Sequence, residues 1–178
     1  MNRRHALKLI LLGTFTPIWS QFVEASSLKS NCSRKLSFYN THTNESLTVD
    51  YLDQNGFFDQ TALNRLNCFF RCHYNEQVHR IDPQLFVLLD VLRSYLGANE
   101  RTYELVSGYR SPEYNELLRS KSQKVAKRSY HMKGMAADVR LDGVDLSAVQ
   151  KAGKCLKVGG VGKYSQFIHL DVGPVRSW

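Results

Sequence analysis

The sequence predicts an α+β fold: a single domain in which helices pack on an antiparallel sheet. Three observations lead there. Short segments alternate apolar and polar residues between turn residues, as half-buried strands do. Other stretches carry leucine and phenylalanine at helical spacing, several opened by an aspartate or a proline suited to a helix start. Neither repeats nor a linker interrupts the 178 residues, and a hydrophobic fraction of 43% suffices for one core.

In order, Leu36-Ser37-Phe38-Tyr39 alternates as a strand, Thr41 to Ser46 reads as a turn, and Leu47 to Leu52 forms the second arm of a hairpin. After the Asn55-Gly56 turn, Asp59 is placed to cap a helix through Leu63, Leu66, Phe69 and Phe70. His42 falls in the hairpin turn, and His73 and His79 at or beyond the end of that helix, where histidine is usually a surface residue. Asp82-Pro83 opens the clearest helix, with Leu85, Leu88, Leu89, Leu92 and Leu96 on one core stripe and Gly97 at its end. Tyr103 to Val106 is the next strand. Ser107-Gly108-Tyr109-Arg110-Ser111-Pro112 turns it into a helix whose Tyr114, Leu117 and Leu118 are expected to face inward, and Arg110 stands at the strand end, a position that tends to face a cleft. Met135 to Leu141 is a strand, Asp142 to Asp145 a turn, and Leu146, Val149, Ala152 and Leu156 mark the last helix. Gly159 to Tyr164 is loop or hairpin leading to the final strand, Gln166 to Val172, on which Phe167, His169 and Asp171 share one face.

Ahead of this domain, residues 1–25 have the form of an export signal. Arg3-Arg4 and Lys8 precede an apolar run from Leu9 to Trp19, too short for a comfortable membrane span, and Val23-Glu24-Ala25 offers a cleavage site before Ser26. The arginine pair resembles a twin-arginine signal, an address that delivers folded proteins; an uncleaved anchor is the alternative. The expected division is 1–25 signal and 26–178 domain, placing the mature chain in the periplasm or cell envelope with no stable membrane span. Loss of Arg3, Arg4, Lys8 and Glu24 lowers the formal net charge from +8 to +6. A basic body suits an anionic polymer, an acidic membrane surface or an anionic wall. Its Lys and Arg residues are scattered and no nucleic-acid-reading motif is present, so nucleic acid is not the expected partner. One cluster, Arg119 to Arg128, leads into the Ser129–Asp138 stretch and can form a cationic rim.

Cys32, Cys68, Cys72 and Cys155 all follow residue 25, and an even number in an exported chain permits disulfides without selecting a pairing. Cys68 and Cys72 are expected one helical turn apart on one face, as small buried residues. With His73 they match no established metal-ligand spacing.

Ser129-Tyr130-His131-Met132-Lys133-Gly134-Met135-Ala136-Ala137-Asp138 sets a histidine and a carboxylate seven residues apart across a glycine. Zinc accepts imidazole nitrogen and carboxylate oxygen together, and a catalytic site uses three protein ligands with a further position left open. His169, on the final strand, is the only other late histidine. His131, Asp138 and His169 are therefore candidate ligands of one zinc ion, in a cleft on the sheet, a set suited to hydrolysis. A His and an Asp at this spacing have little specificity alone. A second histidine on a late strand, Asp171 two residues on, and Arg110 at a strand end strengthen the reading.

These residues also carry a family resemblance. Ser129-x-His131-x-x-Gly134-x-Ala136-x-Asp138 fits, at every fixed position, the zinc-site signature of the D-Ala-D-Ala metallopeptidases, and Ser107-Gly108-Tyr109-Arg110-Ser111 resembles the segment that precedes it there. The ending, Gly159 to Gly162 and Phe167 to Trp178, resembles an exported murein endopeptidase branch of that group, in which a twin-arginine-like signal is usual. The resemblance implies His131, Asp138 and His169 as zinc ligands, Arg110 as a substrate or transition-state contact, and crosslinked peptidoglycan peptide as substrate. Alternatives are a D,D- or L,D-carboxypeptidase on wall peptides and a zinc-bearing wall-binding module without turnover. Relatives with a glutamate base place it three residues before the last histidine, where this chain has Gln166; others use a histidine where it has Phe167. Asp171 is then the candidate base, or a carboxylate that orients the His169 imidazole. Tyr109 and Ser129 are candidate hydrogen-bonding partners of the substrate, Ser129 alternatively bracing the His131 loop.

Overall fold

The computed structural model describes residues 35–178 except 124 and 158. The expected export signal and Cys32 lie outside the described residues. The predicted hairpin forms as β1 (Lys35–Asn40) and β2 (Ser46–Asp50), with Leu36 opposite Val49 and Phe38 opposite Leu47. Helix α1 (Gln60–Phe69) begins where Asp59 accepts a hydrogen bond from the Ala62 amide, and α2 (Pro83–Tyr95) where Asp82 accepts one from Gln84. These bonds satisfy amides that the first turn of a helix leaves free. Then follow β3 (Tyr103–Ser107), α3 (Pro112–Lys121), a 3-10 turn (Tyr130–Lys133), β4 (Ala136–Leu141), α4 (Leu146–Leu156), β5 (Gly160–Lys163), β6 (Ile168–Asp171) and β7 (Arg176–Ser177).

The seven strands form one sheet in the order β2-β1-β3-β4-β6-β5-β7. It is mixed, not antiparallel as expected: β1 runs parallel to β3, and β5 parallel to β7. The chain leaves β1 through β2, α1 and α2 before it returns, so β3 arrives in the same direction as β1. Strand alternation records which face a side chain takes and carries no information about a neighbour's direction. β7, only two residues long, is too short to show a period at all.

Register places Phe38 beside Tyr103, Leu105 beside Val139, Val139 beside Ile168, and Leu170 between Ala137 and Val161, so one sheet face is continuously apolar. Helices α2 and α4 cover it, with Gly153 of α4 standing directly against Val161 and Leu170. Leu85, Leu88, Leu89 and Leu92 of α2 are buried as the leucine stripe predicts. Each such side chain contributes on the order of 1.5–3 kcal/mol by leaving water. No helix among the described residues is long and apolar enough to cross a membrane.

Two local expectations change. In α3 the buried residue is Asn115, and Leu117 and Leu118 are only half-buried. Asn115 donates to the Ala126 carbonyl (3.2 Å) and accepts from Arg110 Nη1 (3.4 Å), so the inner face of α3 works through hydrogen bonds. Cys68 is exposed and only Cys72 is buried, because α1 stops at Phe69 and helical spacing no longer relates the two. Among the described residues Cys68, Cys72 and Cys155 are free thiols.

Candidate metal centre

The sheet face opposite the helices carries the polar residues. Asp138 of β4 and His169 of β6 are direct cross-strand partners, so their side chains project side by side. On the other flank β3 is irregular: register shifts between Leu105 and Ser107, and Ser107 stands opposite Asp138 with one more residue on β3 than on β4. Such a bulge turns the following chain. Beyond it the Gly108 carbonyl accepts from His131 Nδ1 at 2.8 Å, and the Arg110 amide donates to the His131 carbonyl at 3.3 Å.

His131 sits in the 3-10 turn, capped at its start by Ser129, whose Oγ accepts from the His131 amide at 3.3 Å. Gly134 ends the turn in the left-handed conformation (φ 65°). A Cβ there would come within 2.3 Å of the Arg80 carbonyl oxygen, so glycine is needed for space as well as for torsion. Its own carbonyl accepts from the Asp82 amide (2.8 Å), which ties the turn to the start of α2.

The three candidate ligands converge. Asp138 Oδ1 lies 3.2 Å from His131 Nε2 and 2.8 Å from His169 Nδ1, and these two nitrogens are 3.1 Å apart. All three residues are buried, and their ligand atoms lie within 4.8 Å of one another. Both imidazoles are oriented from behind. A carbonyl and a carboxylate only accept, so His131 Nδ1 must carry hydrogen toward Gly108, and His169 Nε2 must carry hydrogen toward Asp171 Oδ2 at 2.9 Å. The remaining lone pairs, on His131 Nε2 and His169 Nδ1, point at each other and at a carboxylate oxygen. That is the donor set of a divalent ion, with the outer hydrogen bonds such ligands use.

The electrostatics agree. Burial pushes the His131 pKa down, which favours the neutral, ligating imidazole. Burial also acts to lower that of His169, but hydrogen bonds to Asp138 and Asp171 outweigh it and the net shift is upward. The two carboxylates thus call for a positive charge at this point, which a proton or a metal ion can provide. Asp138 is itself held well below the usual carboxylate range: burial would raise it, but the facing imidazoles prevail.

The centre lies beside a cleft of about 660 Å³. Arg110 and Arg128 line it near the 119–128 segment, and Tyr164, Phe167 and Trp178 form an aromatic wall. Tyr164 and Phe167 stack at 4.7 Å, and Trp178 Nε1 donates to the Tyr164 hydroxyl at 3.2 Å.

Of the residues singled out from the sequence, Arg110 reaches the centre, with Nη2 3.6 Å from Asp138 Oδ2. Its Nε is buried without a hydrogen-bond partner among the described residues. Ser129 lines the cleft while bracing His131. Tyr109 does not reach it: the side chain is buried, stacked on His79 at 4.5 Å, with its hydroxyl 3.4 Å from Gln77 Oε1. Asp171 is fully buried behind His169 and not in the cleft lining. Its Oδ1 accepts from Gly160 N, Gly173 N and Arg176 Nη1, and its Oδ2 from His169 Nε2 and Arg176 Nη2. Burial would raise its pKa, yet hydrogen bonds from His169, Arg176 and Gly173 hold it well below the carboxylate range. Its hydrogen-bonded carboxylate meets the side of His169 turned away from Asp138, a placement suited to orienting the imidazole rather than to the base role expected of it. Sequence reasoning missed Arg176 and the aromatic wall. The available signal was three aromatic residues near the chain end, Tyr164, Phe167 and Trp178, whose spacing has neither a helical nor a strand period.

Two imidazoles and a carboxylate, two of these groups on adjacent strands and one in the adjoining 3-10 turn, beside a cleft with a cationic and an aromatic side, define a metallopeptidase-type centre. A family model described as peptidoglycan L,D-endopeptidase MepK matches residues 28–178. The chain belongs to this family, within the D-Ala-D-Ala metallopeptidase-like group. Relatives named peptidoglycan L,D-endopeptidase MepK from Escherichia coli K12 and Shigella flexneri are each 41% identical over 181 residues, covering 99% of this chain and 97% of theirs. A Haemophilus influenzae protein named probable peptidoglycan L,D-endopeptidase MepK is 41% identical over 147 residues, 82% of this chain and 78% of its own.

Proposed function

We propose that the protein is a zinc-dependent endopeptidase of the cell envelope that hydrolyses peptide crosslinks of peptidoglycan, with the L,D specificity carried in its relatives' names. The observation that carries this reading is the convergence of His131, Asp138 and His169 within hydrogen-bonding distance beside an open cleft, with Arg110 at its edge. His131 Nε2, Asp138 Oδ1 and His169 Nδ1 would hold one zinc ion. Such an ion supplies Lewis acidity, lowering the pKa of a water to about 7 and polarising a scissile carbonyl. Arg110 is a permanent cation whose Nε has no partner among the described residues, placed to stabilise the oxyanion that develops when that carbonyl is attacked. Arg128 and the 119–128 rim draw an anionic wall polymer toward the cleft. The aromatic wall packs against apolar parts of the peptide and sheds water from the bond. Residues 1–25 direct export and are removed, which N-terminal sequencing of the mature protein checks.

Purified, zinc-loaded protein should release smaller muropeptides from crosslinked sacculi, and His131→Ala should not. Intact sacculi after incubation with the loaded wild type sink the endopeptidase reading. Release of free amino acid without loss of crosslinks identifies a carboxypeptidase instead. Cosedimentation with sacculi and no cleavage identifies a binding module.

A further inference from the structure

The chain beyond the last candidate ligand folds back on the centre from behind. β7 pairs with β5 so that Arg176 lies beside Gly160, and the Arg176 guanidinium meets Asp171 with Nη1 3.0 Å from Oδ1 and Nη2 2.5 Å from Oδ2. This is a two-point, fork-to-carboxylate pair. The guanidinium contacts two rings, 4.9 Å from the Tyr130 centroid and 5.2 Å from that of Trp178, and Nη1 also donates to the Pro174 carbonyl at 3.0 Å. Its fork is thus engaged within the protein, although the residue borders the cleft. Gly160 makes the arrangement fit: a Cβ there would lie 2.4 Å from Asp171 Oδ2 and 2.7 Å from Arg176 Nη1.

We propose that Arg176 is a positioning residue of the metal centre: by gripping both oxygens of Asp171 it fixes the carboxylate that turns His169 Nδ1 toward His131 and Asp138. The physical reason is rotational. The two glycine amides both bind Oδ1 and leave the carboxylate free to swing about that point. Among the described residues, only Arg176 and His169 hold Oδ2, and only Arg176 bonds both oxygens at once. Without the fork, Oδ2 is no longer set in the plane that receives the His169 Nε2 hydrogen, and the imidazole is freed to turn its ligating nitrogen away. Arg176 acts through Asp171, on the side of His169 opposite the candidate ligand atoms.

The inference rests on the reading of His131, Asp138 and His169 as metal ligands. Its test is zinc affinity, measured on the full mature chain by competition with a chromophoric chelator. Arg176→Met should bind zinc about 10- to 100-fold more weakly than the wild type, the range of other residues that orient metal ligands. Arg176→Lys, which keeps the charge and loses the fork, should fall between them. In an Asp171→Asn background, Arg176→Met should add little further loss, because the two act in series. Wild-type affinity in Arg176→Met, or losses from the two substitutions that simply multiply, overturns the proposal. Melting of the metal-free proteins identifies a variant that has not folded. Should Arg176→Met fail that check, Arg176→Lys decides: weakened binding supports the fork, and unchanged binding overturns it. Failure of the ligand reading itself looks different, as a wild type whose zinc binding is unaffected by His131→Ala.

Discussion

His131 Nε2 and His169 Nδ1 stand 3.1 Å apart, each with the hydrogen of its other nitrogen committed, to the Gly108 carbonyl and to the Asp171 carboxylate. Two lone pairs held this close repel unless positive charge sits between them. Metal should therefore stabilise the fold as well as activate it. Zinc at a thousandfold excess over its dissociation constant contributes about 4 kcal/mol, or roughly 10 °C in melting temperature for a domain of this size. Calorimetry with zinc and with chelator checks this, and His131→Ala should remove the difference. A melt indifferent to both additions refutes a structural ion.

Among the described residues the Arg110 side chain makes long polar contacts, 3.6 Å to Asp138 and 3.4 Å to Asn115, and its Nε has no partner. A cation held so loosely by the protein has donors to offer a reacting group. Arg110→Met should lower kcat by about 10²- to 10³-fold, the usual loss when an oxyanion donor is removed, with zinc content unchanged. Steady-state kinetics on a crosslinked muropeptide distinguishes the alternative: a raised KM at constant kcat identifies a contact made equally in the ground state.

Far from the cleft, Arg93 is almost completely buried, donating to Asp90 Oδ1 at 3.2 Å and to the Lys35 carbonyl at 2.6 Å. Tyr51 donates to the other Asp90 oxygen. Arg93→Met leaves that carboxylate without its cation and should cost about 3–5 kcal/mol in urea unfolding. Adding Asp90→Asn should recover part of the loss. A cost below 1 kcal/mol, the range of an exposed ion pair, contradicts the burial argument.

His73 stacks on His42 at 3.8 Å and lies 3.0 Å from the Tyr114 hydroxyl. Burial, then the nearby charges of His42 and Arg110, push its pKa down to about 4, with Glu76 opposing them. Because the folded value lies below the ordinary 6.5, the unfolded chain takes up this proton first as pH falls. Its contribution is complete above about pH 6.5 and is lost progressively toward pH 4. After allowance for partial exposure, the loss is on the order of 1–2 kcal/mol. Urea unfolding at pH 7 and pH 5 should show the drop in the wild type and a smaller one in His73→Gln; equal drops exclude His73 as the source.

The elements were legible wherever one residue type carries one conformation. Asp59 and Asp82 cap helices as their positions demand, the Leu85–Leu92 stripe is buried, and the hairpin falls where alternation places it. The His–Asp–His set was legible too, because strand alternation puts His169 and Asp138 on a common face once β6 lies beside β4. Sheet polarity was not, since it depends on the long return from β1 to β3. Nor were the surroundings of Asp171. A strand pattern places it on the face of His169, but only the folded chain shows Gly160, Gly173 and Arg176 saturating its oxygens. Asn115 misled the reading of α3 for a related reason: its burial depends on partners in other segments, Ala126 and Arg110.

The irregular step in β3 also bears on how this chain can vary in length. Removing a single residue between Leu105 and Ser107 would restore even pairing with β4 and rotate the following backbone by half a strand period. The Gly108 carbonyl would then leave His131 Nδ1, and Arg110 would leave Asp138, although no ligand codon had been touched. Surface turns such as Asn55-Gly56 can absorb insertions and deletions. This one position in β3 cannot, so a related sequence one residue shorter there is expected to have lost the centre even where its histidines and aspartate remain.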